Sequence, residues 1–298
     1  MVRQLQVAVV VDSGSCLPPE LLCQWHITVV PHELIIGNRS YRDGVDIHPE
    51  EFYRLLKRNQ PSCTTAAPRP QQFLEAFLAA GERAPEVLCI TLATQLSATY
   101  RSACAAVELA NGRLAGIKVQ VVDSRAAAGA SGLIALAAAR WAAAGDTLDQ
   151  VIGKVNRLIP RVNLIAFLDT LAYLGRGGRV RKFEAWAGSL LSIKPLTELR
   201  LGEARMLEKP RSRAKATERL LDIMRQRVGS RSVLVNVMEA AAAKDAQALS
   251  IRIQADFNCR ELFISQFTPV MGLHTGPGLL GPAFYVEEDG DPPSSVPF

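Results

Sequence analysis

Apolar positions in the first half of the chain fall into short runs separated by amphipathic stretches. Val7-Ala-Val-Val-Val11 is a β-branched run with no polar interruption, the pattern of a strand buried on both faces. Residues 6–12 therefore read as the first strand, and Asp12-Ser13-Gly14-Ser15 as the turn at its carboxyl end. Pro18-Pro19 opens a helix through Trp25. Residues 28–36 read as one strand, Gly37-Asn38 as a hairpin turn and residues 39–42 as the returning strand. A helix over residues 49–57 gathers Phe52, Leu55 and Leu56 on one side. The segment 61–68, dense in hydroxyls and prolines, reads as a loop. Helices over 71–80, 98–110 and 127–144 then alternate with strands over 87–92 and 118–123. This alternation predicts a parallel sheet with helices on both faces, a three-layer α/β/α domain over residues 1–148.

The second half is less regular. Asp146 or Thr147 can cap a helix over 148–158, and a strand over 162–168 leads to a short helix over 169–174. The glycine-rich break Gly175-Arg-Gly-Gly-Arg179 follows, then a helix over 183–191 and a hairpin of 193–199 with 204–209 around Leu201-Gly202. Residues 212–228 form an amphipathic helix with Leu220, Leu221, Met224 and Val228 on one side. Strands over 233–238 and 262–267 flank a helix over 242–255. A smaller mixed-sheet α/β domain over 149–287 is the expectation, so the fold class is α/β with two domains. Residues 288–298, acidic and rich in Pro and Ser, read as a disordered tail.

One stretch resists both periodicities. Gly272-Leu-His-Thr-Gly-Pro-Gly-Leu-Leu-Gly281 places four glycines and a proline around His274, the sole histidine after His48. It reads as a loop that closes over the polar head of a small ligand, because glycine and proline weaken helix and strand interiors. Gly276–Gly281 also spells G-x-G-x-x-G, but strand-like Pro282-Ala-Phe-Tyr-Val follows instead of a helix. No helix N-terminus can then meet a pyrophosphate, which argues against nicotinamide or flavin binding.

Composition narrows the classes. The chain has 298 residues, 48% hydrophobic and 21% charged, as in a soluble globular protein of two ordinary domains or one large one. A net charge of +5 permits an acidic partner without demanding nucleic acid, and 6% aromatics provide no base-stacking platform. No apolar run reaches the roughly 18 residues of a membrane span. The N-terminus has no signal-peptide pattern. The six cysteines are scattered without a C-x-x-C pair, which argues against zinc and dithiol chemistry, and the cytoplasm is the natural compartment. No cofactor and no metal site are indicated.

Hydroxyls recur where strands end: Ser13 and Ser15, Thr64 and Thr65, Ser97 and Thr99, Ser124. In open α/β sheets that is where ligands bind. Each could instead cap a helix or tie a turn; together with the His274 stretch they outline a site for a neutral or anionic group. No G-x-S-x-G elbow, phosphate loop or H-E-x-x-H helix is present. His32 falls in the second strand and reads as structural. Arg176, Arg179, Arg181 and Lys182, then Arg211, Arg213 and Lys215, form two basic clusters that could converge on an acidic group.

These pieces, in this order, resemble the DegV family of bacterial fatty-acid-binding proteins. The resemblance rests on Val11-Asp12-Ser13, Tyr41-Arg-Asp-Gly-Val-Asp46, Thr64-Thr-Ala-Ala-Pro68, Leu96-Ser-Ala-Thr-Tyr100 and Asp123-Ser124. In the second half it rests on Leu171-Ala-Tyr-Leu-Gly-Arg-Gly-Gly-Arg-Val180, Lys194-Pro195, Arg211-Ser-Arg213 and His274-Thr-Gly-Pro-Gly278. The resemblance implies two α/β domains with one long-chain fatty acid buried between them. It implies a non-enzymatic carrier that hands the acid to a separate fatty acid kinase for acyl-phosphate formation in phospholipid metabolism. It places Thr65, Ser97, His274 and Thr275 on the carboxylate, and Arg179 and Arg211 in kinase docking or phosphate handling. No nucleic acid and no transmembrane segment are implied, and transient contact with a membrane surface is compatible with it. Two positions depart from the family pattern. Ala98 stands where glycine is usual, which would be strained at positive φ but harmless at a helix start. Ala66 stands where serine is frequent. The competing reading is a free-standing enzyme acting on a small carboxylate or phosphate, with His274 as acid/base. A DNA-binding regulator lacks a recognition-helix pattern.

Overall fold

The computed structural model describes residues 5–59, 62–177 and 193–292. The first strands are β1 Val7–Asp12, β2 Thr28–Val30, β3 Glu33–Ile36, β4 Arg39–Arg42, β5 Cys63–Ala66, β6 Glu86–Thr91 and β7 Lys118–Asp123. Then come β8 Asn163–Phe167, β9 Leu196–Arg200, β10 Glu203–Glu208, β11 Val233–Glu239, β12 Cys259–Gln266 and β13 Leu280–Val286. The helices are α1 Pro19–Gln24, α2 Pro49–Asn59, α3 Pro70–Gly81, α4 Thr99–Glu108 and α5 Ala128–Ala144. They continue with α6 Leu148–Leu158, α7 Ala172–Gly177, α8 Arg213–Val228, α9 Ala243–Asp256 and α10 Pro269–Thr275.

Three sheets result. A parallel sheet runs in the order β2-β1-β6-β7, a six-stranded mixed sheet β10-β9-β8-β13-β11-β12, and a small antiparallel sheet β4-β3-β5. All of β1 is buried, as its uninterrupted apolar run requires. The α/β class and the pairing of a parallel sheet with a separate mixed sheet match the expectation from sequence.

Helix α5 explains its own composition. Residues Ala128 to Ala143 are all buried, with β1 packed on one side and β11 and β13 on the other. A helix wedged between two sheets has no polar face, and small side chains let both sheets approach. A Cβ on Gly129 would press into Asn236 and Met238. On the far side of the mixed sheet, α8 buries Leu220, Leu221, Met224 and Val228, each worth about 1.5–3 kcal/mol relative to exposure. Ser212 caps that helix by accepting from the Lys215 amide at 3.2 Å.

Four expectations change. The single strand over 28–36 is two strands in two different sheets, β2 beside β1 and β3 against β4 and β5. Pro31 stands between them; it has no N–H for a ladder, and the chain turns there. The loop over 61–68 contains strand β5, whose β-branched Thr64 and Thr65 pair with Ile35 and Leu34. The glycine stretch is not one loop: His274 sits in the last turn of α10, and Gly281 and Pro282 lie in β13, inside the mixed sheet. Packing selects these glycines. Gly272 lies against the Tyr53 ring and Gly281 against the backbone of Ile165 and Ala166, with no room for a Cβ. Finally, the tail is held as far as Pro292. Arg161 bonds Asp291 at 2.6 Å, and Trp141 donates to the Gly290 carbonyl at 3.1 Å. The expected helix over 183–191 and Arg179 lie outside the described residues.

Candidate ligand-binding site

A predominantly apolar cavity is lined from both halves of the chain. Its walls include Leu92, Ala128, Leu164, Ala166, Leu199 and Phe267. Its polar lining includes Thr65, Ser97, His274 and Thr275, the four residues expected at a carboxylate, and also His32. No lysine or arginine lines it among the described residues.

Each polar side chain is placed by a local device. Thr65 stands opposite Leu34 in the β3–β5 ladder, with exposed Thr64 on the other face. Ser97 lies in the turn between β6 and α4, and its Oγ accepts the Thr99 amide at 3.3 Å. Ala98 is the residue before α4 with φ −78°, so no glycine is needed there. Thr268 caps α10 by accepting from the Met271 amide, and Gly276 at φ 77° terminates it. His274 Nε2 then lies 3.0 Å from Thr65 Oγ1, across 209 positions of sequence. Thr275 lines the cavity and donates to the Met271 carbonyl at 3.1 Å within the last turn of α10.

Behind Ser97 runs a buried polar chain. Ser97 Oγ is 2.7 Å from Thr99 Oγ1, which is 3.0 Å from His32 Nε2. His32 Nδ1 is 3.1 Å from Ser13 Oγ, and Ser13 lies 2.7 Å from Asp43 Oδ2. Asp43 Oδ1 accepts the Val270 amide at 3.0 Å, anchoring the start of α10. Asp12 sits beside this chain, accepting the Leu92 and Gly14 amides at 2.8 and 2.9 Å.

Burial pushes His32 down to about 3, with nearby His274 adding to the effect. The imidazole is therefore neutral at physiological pH. Burial raises Asp43 against the bonds from Ser13 and Val270, and pushes Asp12 up to about 7 against its two amide bonds. The His32 shift makes stability depend on pH. Below 6.5 the unfolded imidazole takes a proton that the folded one refuses until about 3. Wild-type advantage over His32→Leu is thus expected to grow with rising pH across that window by up to about 1.4 kcal/mol per unit, then level off. Urea midpoints at a series of pH values check it; a pH-independent difference would mean the buried histidine is not neutral.

Not every hydroxyl at a strand end joins the site. Ser124 closes its own turn, accepting the Ala126 amide at 3.2 Å, and does not line the cavity. Arg211 is exposed and outside the lining. Its neighbour Arg213 is the organising cation: it bonds Asp169 at 2.7 Å, the Gly278 carbonyl at 2.8 Å and Asp245 at 2.5 Å. It also stacks 5.0 Å over the Phe167 ring. His32, read from sequence as a structural strand residue, lines the cavity, and Asp43 had no role assigned from sequence. The signal for His32 was the proline before it, which marks a break in the strand.

The comparisons with known proteins agree with this architecture. A DegV domain-containing protein of Streptomyces coelicolor is 35% identical over 277 residues, covering 92% of this chain and 96% of that protein. A DegV family protein from Thermus thermophilus, whose structure is described by its fatty acid binding, superposes with a TM-score of 0.86 at 28% identity, covering 95% of this chain and all of that one. DegV of Bacillus subtilis, described as a fatty acid binding protein, gives 0.85 at 27% identity with 95% of this chain and 100% of its own covered. The family model described as "Uncharacterised protein, DegV family" matches residues 6–287, and the chain belongs to the DegV family.

Proposed function

We propose that this protein binds one long-chain fatty acid in the cavity and is a carrier rather than an enzyme. The carboxyl would lie at Thr65, Ser97, His274 and Thr275, with the tail along the apolar walls. A division of the chain near residue 148 would put Thr65 and Ser97 in one domain and His274 in the other. The observation that carries this reading is an apolar cavity in which Thr65, Ser97, His274 and Thr275 offer hydroxyls and imidazole, the lining Glu198 is bonded to Arg227, and no lysine or arginine lines it among the described residues. Such a set suits a carboxyl group and not a phosphate dianion, which would need charged partners when buried. The fatty acids bound by the Thermus and Bacillus proteins support it.

Magnitudes favour the tail as the source of affinity. The fifteen tail carbons of a sixteen-carbon acid gain on the order of 0.8 kcal/mol each, about 12 kcal/mol gross. Each hydrogen bond to a charged head returns roughly 1.5–3 kcal/mol and offsets its desolvation. The head therefore sets orientation. That is the arrangement a carrier needs if it presents its carboxylate to a separate fatty acid kinase in the cytoplasm, with Arg179 and Arg211 in docking or phosphate handling.

Protein purified from bacteria, denatured and examined by mass spectrometry should release about one equivalent of C14–C18 fatty acid, one acid for the one cavity proposed to hold it. Ser97→Ala or His274→Ala should slow phosphorylation of the bound acid more than it lowers lipid content. Protein that carries no lipid and takes up neither oleate nor palmitate would defeat the reading. It would also promote a small-substrate enzyme using His274 as acid/base.

A further inference from the structure

The chain from Ser97 to Asp43 has a property that none of its members has alone. Each hydroxyl carries one proton, and a neutral imidazole donates from one nitrogen and accepts at the other. The chain can therefore be polarised in only two ways. With Asp43 ionised, Ser13 donates to Asp43, His32 donates from Nδ1 to Ser13, Thr99 donates to Nε2, and Ser97 donates to Thr99. Ser97 then shows the cavity lone pairs only. With Asp43 protonated, every bond reverses: Asp43 donates to Ser13, Ser13 to Nδ1, Nε2 to Thr99, Thr99 to Ser97, and the Ser97 proton points into the cavity. The backbone amides of His32 and Thr99 bond Ser13 and Ser97 in both states, so the oxygens stay in place.

A bound carboxylate accepting from Ser97 needs the second state; a bound carboxylic acid donating to Ser97 needs the first. We propose that Asp43 and the carboxyl group of the bound fatty acid share one proton through Ser13, His32, Thr99 and Ser97, with Asp43 protonated whenever the bound acid is ionised. The two states interconvert by moving the acid proton to Ser97, the Ser97 proton to Thr99, the Thr99 proton to Nε2, the Nδ1 proton to Ser13 and the Ser13 proton to Asp43. Total charge is unchanged and His32 only changes tautomer. Histidine is the one side chain that can take a proton on one atom and release another from a second while remaining neutral. Because Asp43 also holds the Val270 amide and the backbone of His32 through its own amide at 2.9 Å, the shared proton reaches the start of the helix bearing His274.

Other groups face Asp43. Asp12 and Cys16 come from the β1 end, Tyr53 from α2 and Thr268 from the cap of α10, while His274 acts on His32. Burial raises both Cys16 and Tyr53, so neither is charged at neutral pH. Asp12 is the rival proton holder, with its Oδ1 3.9 Å from His32 Nδ1.

This proposal rests on the fatty-acid reading above, and infrared difference spectra of the complex with carboxyl-13C oleate separate the two. The label moves the ligand's bands away from those of the protein. The expected result at neutral pH is an ionised ligand together with an unlabelled protonated-carboxyl band. That band should be absent in Asp43→Asn and retained in Asp12→Asn. It should be stronger with oleate than with oleyl alcohol in the wild type, and His32→Leu should erase that difference while still binding both. Bound, ionised oleate without the band would overturn the shared proton and leave the binding site standing. So would a band that survives Asp43→Asn, or an oleate–alcohol difference that survives His32→Leu. Failure of oleate to bind at all would remove both.

Discussion

Ala204→Trp is expected to leave the protein folded and depleted of long-chain acid. Ala204 lies on β10 opposite Leu199 of β9, and both line the cavity. β10 is the edge strand of the mixed sheet, so a larger side chain there disturbs fewer neighbours than one placed on β8. The tip of the hairpin rests on the other half of the chain, with Gly202 against the Gln95 side chain. An indole entering from Ala204 therefore fills cavity space under a covered roof. Each methylene denied burial forfeits about 0.8 kcal/mol, so losing two already lowers affinity by more than about tenfold. Lipid mass spectrometry and oleate titration read the effect, with the remaining lipid shifted to shorter chains. A wild-type load of C16–C18 acid in the variant would place the tail elsewhere.

The largest effect on stability is expected at Arg140. It lies within α5, 2% exposed, with both terminal guanidinium nitrogens, Nη1 and Nη2, 2.7 Å from Glu261 on β12. Its Cζ also sits 5.1 Å over the Trp25 ring. The pair therefore fastens the helix between the sheets to the mixed sheet's edge strand. Arg140→Ala removes a large buried side chain and leaves Glu261 uncompensated, at a cost of about 3 kcal/mol or more. The lower end applies because the Glu261 side chain keeps 19% exposure. The double variant Arg140→Met with Glu261→Leu should recover most of the loss, since apolar residues of similar size commonly match a buried ion pair. Urea unfolding of the three proteins decides. A single-variant cost below about 1 kcal/mol would put this pair in the class of exposed ion pairs.

How much of this was legible in sequence can be judged element by element. The alanines of α5 were readable as a helix but not as one enclosed by two sheets, because both environments accept alanine. Thr65, Ser97 and His274 could be picked out by residue type and order, and all three line one cavity. Their role on a carboxylate rests on resemblance and cavity chemistry. Arg213 was seen only as one of a basic cluster; its three partners come from positions 169, 245 and 278, which no local pattern links.

The misreadings share a cause. Gly272 and Gly281 looked like loop formers because glycine is costly in regular structure. They are there because Tyr53 and the backbone of β8 occupy the space of a side chain, and that crowding exists only in the folded molecule. Thr64 and Thr65 looked like turn hydroxyls, and become strand residues because β3 lies alongside to pair with them. By itself the sequence determined the α/β class, nearly every helix and strand among the described residues, and the set of hydroxyls and histidine from which a head site could be drawn. Periodicity and chain order carry that information locally. Tertiary structure alone decided that His32 leaves its strand to line the cavity and that Asp43 stands behind Ser97. Hydrogen bonds between residues 13, 32, 43, 97 and 99 depend on how the parallel sheet and the small antiparallel sheet are packed, and packing is a property of the whole chain.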